Sequence, residues 1–162
     1  MDYQDYKKIV LDRVKSVLKP EGFRKAGNTF SLIKNDVILF VQLQSSTKTS
    51  RSNLVATINL GIASLLIAEK EGLKFEPKFL DSHWRKRIGS FLPNPFDKWW
   101  EVQSEKEAAK AGLEIAEIIE KQALPELQSL SSTAKLIALW ESGRSPGMTE
   151  FHRKKLLALA EK

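Results

Sequence analysis

Val37-Ile38-Leu39-Phe40-Val41-Gln42-Leu43-Gln44 and Leu54-Val55-Ala56-Thr57-Ile58-Asn59-Leu60 decide the fold. Successive side chains of a strand point to opposite faces, so Val37, Leu39, Val41 and Leu43 share one side of the first run. In the second run Leu54, Ala56, Ile58 and Leu60 share a side, and Val55, Thr57 and Asn59 take the other. This period of two predicts strands with one face on a core. A further strand is predicted over 28–34, turned into the next by Asn35-Asp36. Connections this short make antiparallel hairpins, because parallel neighbours need a crossover of about a dozen residues or more.

Outside these runs the period changes. Tyr3, Tyr6, Val10, Val14, Val17 and Leu18 recur at helical spacing, with Lys7, Lys8, Asp12, Arg13 and Lys15 mostly on other faces. That predicts an amphipathic helix ended by Pro20 and Gly22. Residues 64–71 predict a short helix before Gly72. Residues 84–91 alternate again, with Trp84, Lys86 and Ile88 against Arg85 and Arg87, and predict a fourth strand. Pro93-Asn94-Pro95 is a turn, and 99–103 predicts a fifth strand. Ser104-Glu105-Lys106-Glu107 has the form of a capping box and opens a long helix. Its apolar face runs through Ala108, Ala111, Ile115, Ile118, Ile119 and Gln122, and Pro125 is expected to break it. Two helices, over 133–141 and 149–161, close the chain.

Grouped strands between segregated helices define an α+β fold: an antiparallel sheet of four or five strands with an N-terminal helix and C-terminal helices. At 162 residues the chain is expected to form a single domain, with 132–162 as a helical tail packed on it. With 42% apolar and 28% charged residues it has the make-up of an ordinary soluble protein. The absence of cysteine excludes disulfides, thiolate catalysis and zinc ribbons. The N-terminus shows no secretory leader, and the uncharged stretch 52–68 is interrupted by Asn53, Thr57, Asn59 and Gly61, so no membrane span and no membrane partner are expected. The net charge of +6 is uneven: residues 1–100 carry 17 Lys and Arg against 10 Asp and Glu. Over 24–68, Arg24, Lys25, Lys34, Lys48 and Arg51 face only Asp36. Such an excess suits an anionic partner or simply solubility.

The chemistry of interest concentrates in His83-Trp84-Arg85-Lys86-Arg87-Ile88-Gly89 and Asp97-Lys98-Trp99-Trp100. On a strand Arg85 and Arg87 share a face about 7 Å apart, and Lys86 takes the other. Trp99 and Trp100 point to opposite faces, one into the core and one toward a partner. Tryptophan and arginine dominate binding hot spots, so His83, Trp84, Arg85, Arg87, Trp99 and Trp100 are the candidate partner-binding residues. The alternative is that the arginines pair with Asp97, Glu101 or helix carboxylates at the protein's own surface. The loop 45–53, with six hydroxyls beside Lys48 and Arg51, is a candidate anion site or a solvated hairpin loop.

Catalytic motifs are weak. His83 and His152 are the only histidines, and neither has a neighbour at metal-ligand spacing, so no metal and no cofactor is expected. Gly143-Arg144-Ser145-Pro146-Gly147 fits G-x-S-x-G only in letters: a helix rather than a strand precedes it, and Pro146 lacks the N–H that an oxyanion hole needs. His83 as a general base would need a carboxylate brought close by folding.

Gly22-Phe23-Arg24-Lys25, Gly27-Asn28-Thr29-Phe30, Asn59-Leu60-Gly61, His83-Trp84-Arg85, Arg87-Ile88-Gly89, Asp97-Lys98-Trp99-Trp100 and Ala123-Leu124-Pro125 follow one another in this order. As a set they resemble the bacterial family known as domain of unknown function 4304, from the first helix to about Leu130. The resemblance implies a small bacterial, cytoplasmic protein, and it brings no established activity and no catalytic residues. Small families of this kind include immunity proteins encoded beside toxins.

The functional expectation is a non-enzymatic domain that binds another protein, with toxin neutralisation as its specific version. Nucleic-acid binding through the basic N-terminal half is the alternative, and an enzyme using His83 or carboxylates is the third.

Overall fold

The computed structural model describes residues 1–144 and 148–161. Helix α1 (Tyr3–Leu18) opens the chain. The Asp2 side chain accepts from the backbone N–H of Gln4 and Asp5, and the Asp5 side chain accepts from the N–H of Asp2. This reciprocal cap satisfies donors that the first turn would otherwise leave unpaired. Six strands follow: β1 (Arg24–Ala26), β2 (Thr29–Lys34), β3 (Val37–Ser45), β4 (Leu54–Ser64), β5 (Trp84–Arg87) and β6 (Trp100–Val102). Helix α2 (Leu65–Lys70) lies between β4 and β5. Helices α3 (Glu105–Ile118), α4 (Leu124–Ser129), α5 (Thr133–Glu141) and α6 (Glu150–Glu161) complete the fold, which is α+β as expected.

Every strand pair is antiparallel, in the order β1-β2-β3-β4-β5, with β6 also on β4. The register confirms the period-two reading. Leu39 pairs with Ile62, Val41 with Leu60 and Leu43 with Ile58, all on the core face. That face packs against α1 through Tyr6, Val10, Val14 and Leu18 and against α3 through Ala108, Ala111 and Ile115. Burying a side chain such as Ile58 or Leu60 stabilises the fold by about 1.5–3 kcal/mol. Strand β1 was not expected: Arg24-Lys25-Ala26 carries no apolar alternation, and it pairs only as a short, charged edge.

The fourth strand ends at Arg87 rather than extending to residue 91. Arg87 pairs with Asn59, the chain leaves the sheet over 88–99, and Trp100 re-enters opposite Ala56. β5 and β6 are therefore two halves of one interrupted edge strand. Gly89 permits the excursion, because a Cβ there would lie 1.9 Å from the Phe96 carbonyl oxygen. The Thr57 hydroxyl fastens the far side by donating to the Lys98 carbonyl at 2.7 Å.

Pro125 does not break the long helix. Residues Ile119–Ala123 form one widened π-turn, in which the Leu124 N–H reaches the Ile119 carbonyl, and α4 continues with Pro125 in its first turn. The wider turn accommodates a proline that lacks an N–H and would crowd the preceding turn. The inserted residue also rotates the apolar stripe. Gln122, expected on the buried face, is exposed, and Ala123, Leu124 and Leu127 are buried instead.

The tail packs on the rest of the chain through Leu136, Trp140 and Leu156, which are essentially inaccessible. Asp36, in the β2–β3 turn, accepts from the Thr133 N–H at 2.8 Å, and Asn35 donates to the Ser131 carbonyl. The loop 142–147 lies partly outside the described residues: nothing is described at Ser145, Pro146 or Gly147.

Candidate functional site

Among the described residues the only α-helical side chain packed on the apolar cluster of the sheet's second face is Leu65, at the start of α2. One end of that face is apolar. Ile38, Phe40 and Ala63 pack beneath Phe79, which comes from a short 3-10 turn, Phe79–Asp81, ahead of β5. Gly61 makes the seat: a Cβ there would meet Phe79 Cε2 at 2.9 Å and Ser82 Oγ at 2.4 Å. Beside this patch the face is polar and partly open, with Thr29, Ser31, Gln42, Gln44 and Asn59 on it. A shallow groove of about 530 Å³ runs here, bounded by Gln42, Gln44, Asn59, Leu80, Arg85 and Arg87.

β5 sets the cations. Arg85 and Arg87 pair with Gly61 and Asn59 and so face the groove, whereas Lys86 pairs with Leu60 and faces the helices. Lys86 is held there by Glu126 at 2.7 Å and lies 4.5 Å from the Phe91 ring centroid. Its charge belongs to the core side and reaches no partner.

Arg87 is committed to its own protein. Its Nη1 donates to both Asp97 carboxylate oxygens at 3.0 and 3.1 Å, and its Nε donates to Asn59 Oδ1 at 3.0 Å. Its guanidinium lies 5.2 Å from the Trp99 ring centroid. Trp99 Nε1 in turn donates to Asp97. The Trp99 N–H is the main cause that holds the Asp97 carboxyl below its ordinary value; loss of hydration opposes it, and the Arg87 hydrogen bond and charge, each a smaller cause, add to the lowering. The alternative pairing anticipated from sequence, with Asp97, is realised for Arg87.

Arg85 is different. Its Nη2 donates to the Leu80 carbonyl at 2.5 Å, and its guanidinium lies 5.3 Å from the Phe79 ring centroid. No carboxylate among the described residues pairs with it, and the residue is exposed. Leu80 beside it is 78% exposed. The protein thus presents an oriented, unspent guanidinium next to an apolar side chain, a combination suited to gripping an anionic group by its planar fork.

The remaining candidates are placed elsewhere. Trp84 and Trp100 lie on the core face, 1% and 6% exposed, so neither offers a surface to a partner. Trp99 is the half-exposed member of its pair. His83 is buried. Its Nδ1 accepts from the Ser64 N–H at 2.9 Å and its Nε2 meets Glu71 at 2.5 Å, so the ring joins β4, α2 and β5. With one nitrogen accepting from a backbone N–H and the other engaged by a carboxylate, neither is free to take a proton from a substrate. Glu71, Asp81, His83, Arg85 and His152 line a second cleft of about 650 Å³, yet no group able to hold a metal ion is found among the described residues. Lys48 and Arg51 are exposed, and two of the loop's hydroxyls are taken up locally: Ser46 caps the Lys48 N–H, and Thr49 exchanges hydrogen bonds with Val55.

Sequence reasoning missed Gln42, Gln44, Asn59, Phe79 and Leu80 as companions of Arg85 and Arg87, whereas Asp97 was among the carboxylates anticipated for them. A signal for the first three was present: they are polar residues at the outward positions of otherwise apolar strands. Phe79 and Leu80 lie in a short turn between strands, where no period announces a partner.

The fold and this face define a class: a small α+β protein with a helix-backed antiparallel sheet whose opposite face is half open and bears an aromatic-stacked arginine. The chain belongs to the family described as domain of unknown function (DUF4304), whose model matches residues 14–129. No curated protein and no solved structure matches it. No helix among the described residues is long and apolar enough to cross a membrane.

Proposed function

We propose that this protein is a binding module, without chemistry of its own, that holds another protein on the open face of its sheet. The observation that carries this reading is Arg85: exposed, stacked on Phe79, tethered to Leu80 and unpaired with any carboxylate among the described residues. Trp99 and Leu80 flank the groove and supply the apolar area that anchors protein interfaces. The engagement of both His83 nitrogens supports binding over catalysis. Toxin neutralisation is the specific version of this reading.

The test is affinity capture from the source organism with the wild-type chain and with the variants Arg85→Ala and Trp99→Ala. A single protein retained by the wild type, released by both variants and rebound in purified form supports the reading. Nucleic acid is the competitor to exclude, by fluorescence polarisation on random-sequence DNA and RNA at two salt concentrations. Tight binding there, with a steep log–log salt slope that Arg85→Ala flattens by about one, sinks the protein-partner reading.

A further inference from the structure

We propose that the partner element bound on this face is an acidic, extended segment of polypeptide, and that Arg85 is the cation that pairs with its carboxylates. The inference rests on the reading above that the partner is a protein. It follows from the polarity that the hydrogen bonds impose on the groove.

Arg87 can only donate. Its Nε bond therefore fixes the Asn59 side-chain oxygen as acceptor and turns the Asn59 Nδ2 outward as donor. That Nδ2 donates to Gln44 Oε1 at 2.7 Å, so the Gln44 oxygen is consumed and its NH₂ is left facing the groove. No acceptor for this NH₂ occurs among the described residues. The relay Asp97–Arg87–Asn59–Gln44 thus ends in donors, and Arg85 adds the N–H groups that Leu80 does not use. Gln42 gives its NH₂ to Thr29 Oγ1 at 3.2 Å and so leaves one acceptor in the lining; the N–H groups of Gln44 and Arg85 outnumber it and call for a ligand rich in acceptors, namely carboxylates and peptide carbonyls.

Charge agrees. Arg24, Arg85 and Arg87 lie on this face against Asp97 and, at the far end of β6, Glu101. Asp97 is held by Arg87, and Arg24 and Arg85 pair with no carboxylate among the described residues. They stand at the two ends of one transverse row, Arg24–Ser31–Phe40–Gly61–Arg85, whose middle lies beneath Phe79, so that a segment joining them runs over that ring. Four strand spacings separate them, roughly 19 Å, which an extended segment of about six residues spans.

The same face disfavours single-stranded nucleic acid. Base binding needs free aromatic ring faces, and the ring in the groove and the ring next to Arg87 each already carry an arginine, Phe79 under Arg85 and Trp99 under Arg87. Two free arginines are also few for a phosphate backbone, which is neutralised by many distributed cations.

The experiment is a nuclear magnetic resonance titration of the ¹⁵N-labelled full chain with blocked octaglutamate, with octalysine and an eight-nucleotide oligothymidine as comparison probes. Octaglutamate should shift the resonances of Gln44, Asn59 and Arg85 and leave the α1–α3 surface unmoved. Arg85→Ala should weaken it at least tenfold, Gln44→Ala less, and Lys110→Ala, which removes an exposed cation from α3, not at all. Arg85→Lys should recover only part of the loss, since an ammonium lacks the planar fork. Equal losses in Arg85→Ala and Lys110→Ala, or no octaglutamate binding at millimolar concentration, overturn the proposal. Tighter, Arg85-dependent binding of oligothymidine overturns it in favour of phosphate. A captured protein that depends on Arg85, together with no octaglutamate binding, removes the acidic segment and leaves the protein-binding reading standing. Octaglutamate binding at Arg85 with no face-dependent protein removes that reading.

Discussion

Gly61→Ala perturbs the seat on which the site is built. The added methyl would lie 2.4 Å from Ser82 Oγ and 2.9 Å from Phe79 Cε2. Neither contact is tolerable, so the Ser82 and Phe79 side chains must shift, and the Ser82 Cβ at 3.1 Å carries the strain into their turn. Overpacking of this kind costs about 1–3 kcal/mol. Replacing a strand glycine by alanine restrains the unfolded chain and returns about 0.4–1 kcal/mol. The balance is a net loss of about 1–2 kcal/mol, and a second effect should accompany it. Arg85 stacks on Phe79 and is tethered to Leu80, so straining the turn should also disorder the guanidinium and weaken octaglutamate binding. Ser82→Ala in the same background should restore part of the stability, because Ser82 Oγ makes the closest clash and has no hydrogen-bond partner of its own. A double-mutant cycle in urea, followed by circular dichroism, should give a coupling of about 0.5–3 kcal/mol between positions 61 and 82. A stability for Gly61→Ala within about 0.3 kcal/mol of the wild type, with no coupling to Ser82, would refute the close packing of the turn on the sheet.

Three other outcomes follow from the packing and the charges. Trp140→Ala should cost about 3–5 kcal/mol by thermal denaturation, although residue 140 lies beyond the family match, because its side chain is wholly buried. Ile115→Ala should cost about 2–5 kcal/mol and Gln122→Ala almost nothing, which checks in urea that the π-turn moves the apolar stripe. Asp97 has a lowered folded-state pKa, so its contribution is present above its ordinary value near 3.8 and is lost as pH falls through the lower folded value. The carboxylate is 57% exposed, so screening holds this to roughly 0.2–1 kcal/mol, and Asp97→Asn should make the acid limb of the stability–pH curve correspondingly shallower.

The strands were legible because β3 and β4 obey a period of two with one side uniformly apolar. The same rule placed Arg85 and Arg87 together and Lys86 opposite. What it could not show was the break after Arg87. Ile88 continues the alternation, and only the close approach of Gly89 to the Phe96 carbonyl, a contact made in three dimensions, takes the chain off the sheet. The pairing of Arg87 with Asp97 was one of the alternatives the sequence offered, but its choice over Glu101, and the placing of Trp99 beside Arg87, depend on that excursion. The opposite orientations of Trp99 and Trp100 were legible, but which one was buried depended on the register of β6 with Ala56. The π-turn left a trace in Pro125, which was taken as a break because a proline removes one helical hydrogen bond. The structure widens the preceding turn instead.

The most direct test of the account is hydroxyl-radical footprinting of the full chain, alone and with its captured partner. Accessible side chains are distributed so that each surface has its own reporter: exposed Leu80 and half-exposed Trp99 beside the open sheet face, Leu113 on α3 and Phe151 on the tail. The account predicts that the partner protects Leu80 and Trp99 and leaves Leu113 and Phe151 reacting as in the free protein. Protection of Leu113 or Phe151, with Leu80 and Trp99 unchanged, would contradict it.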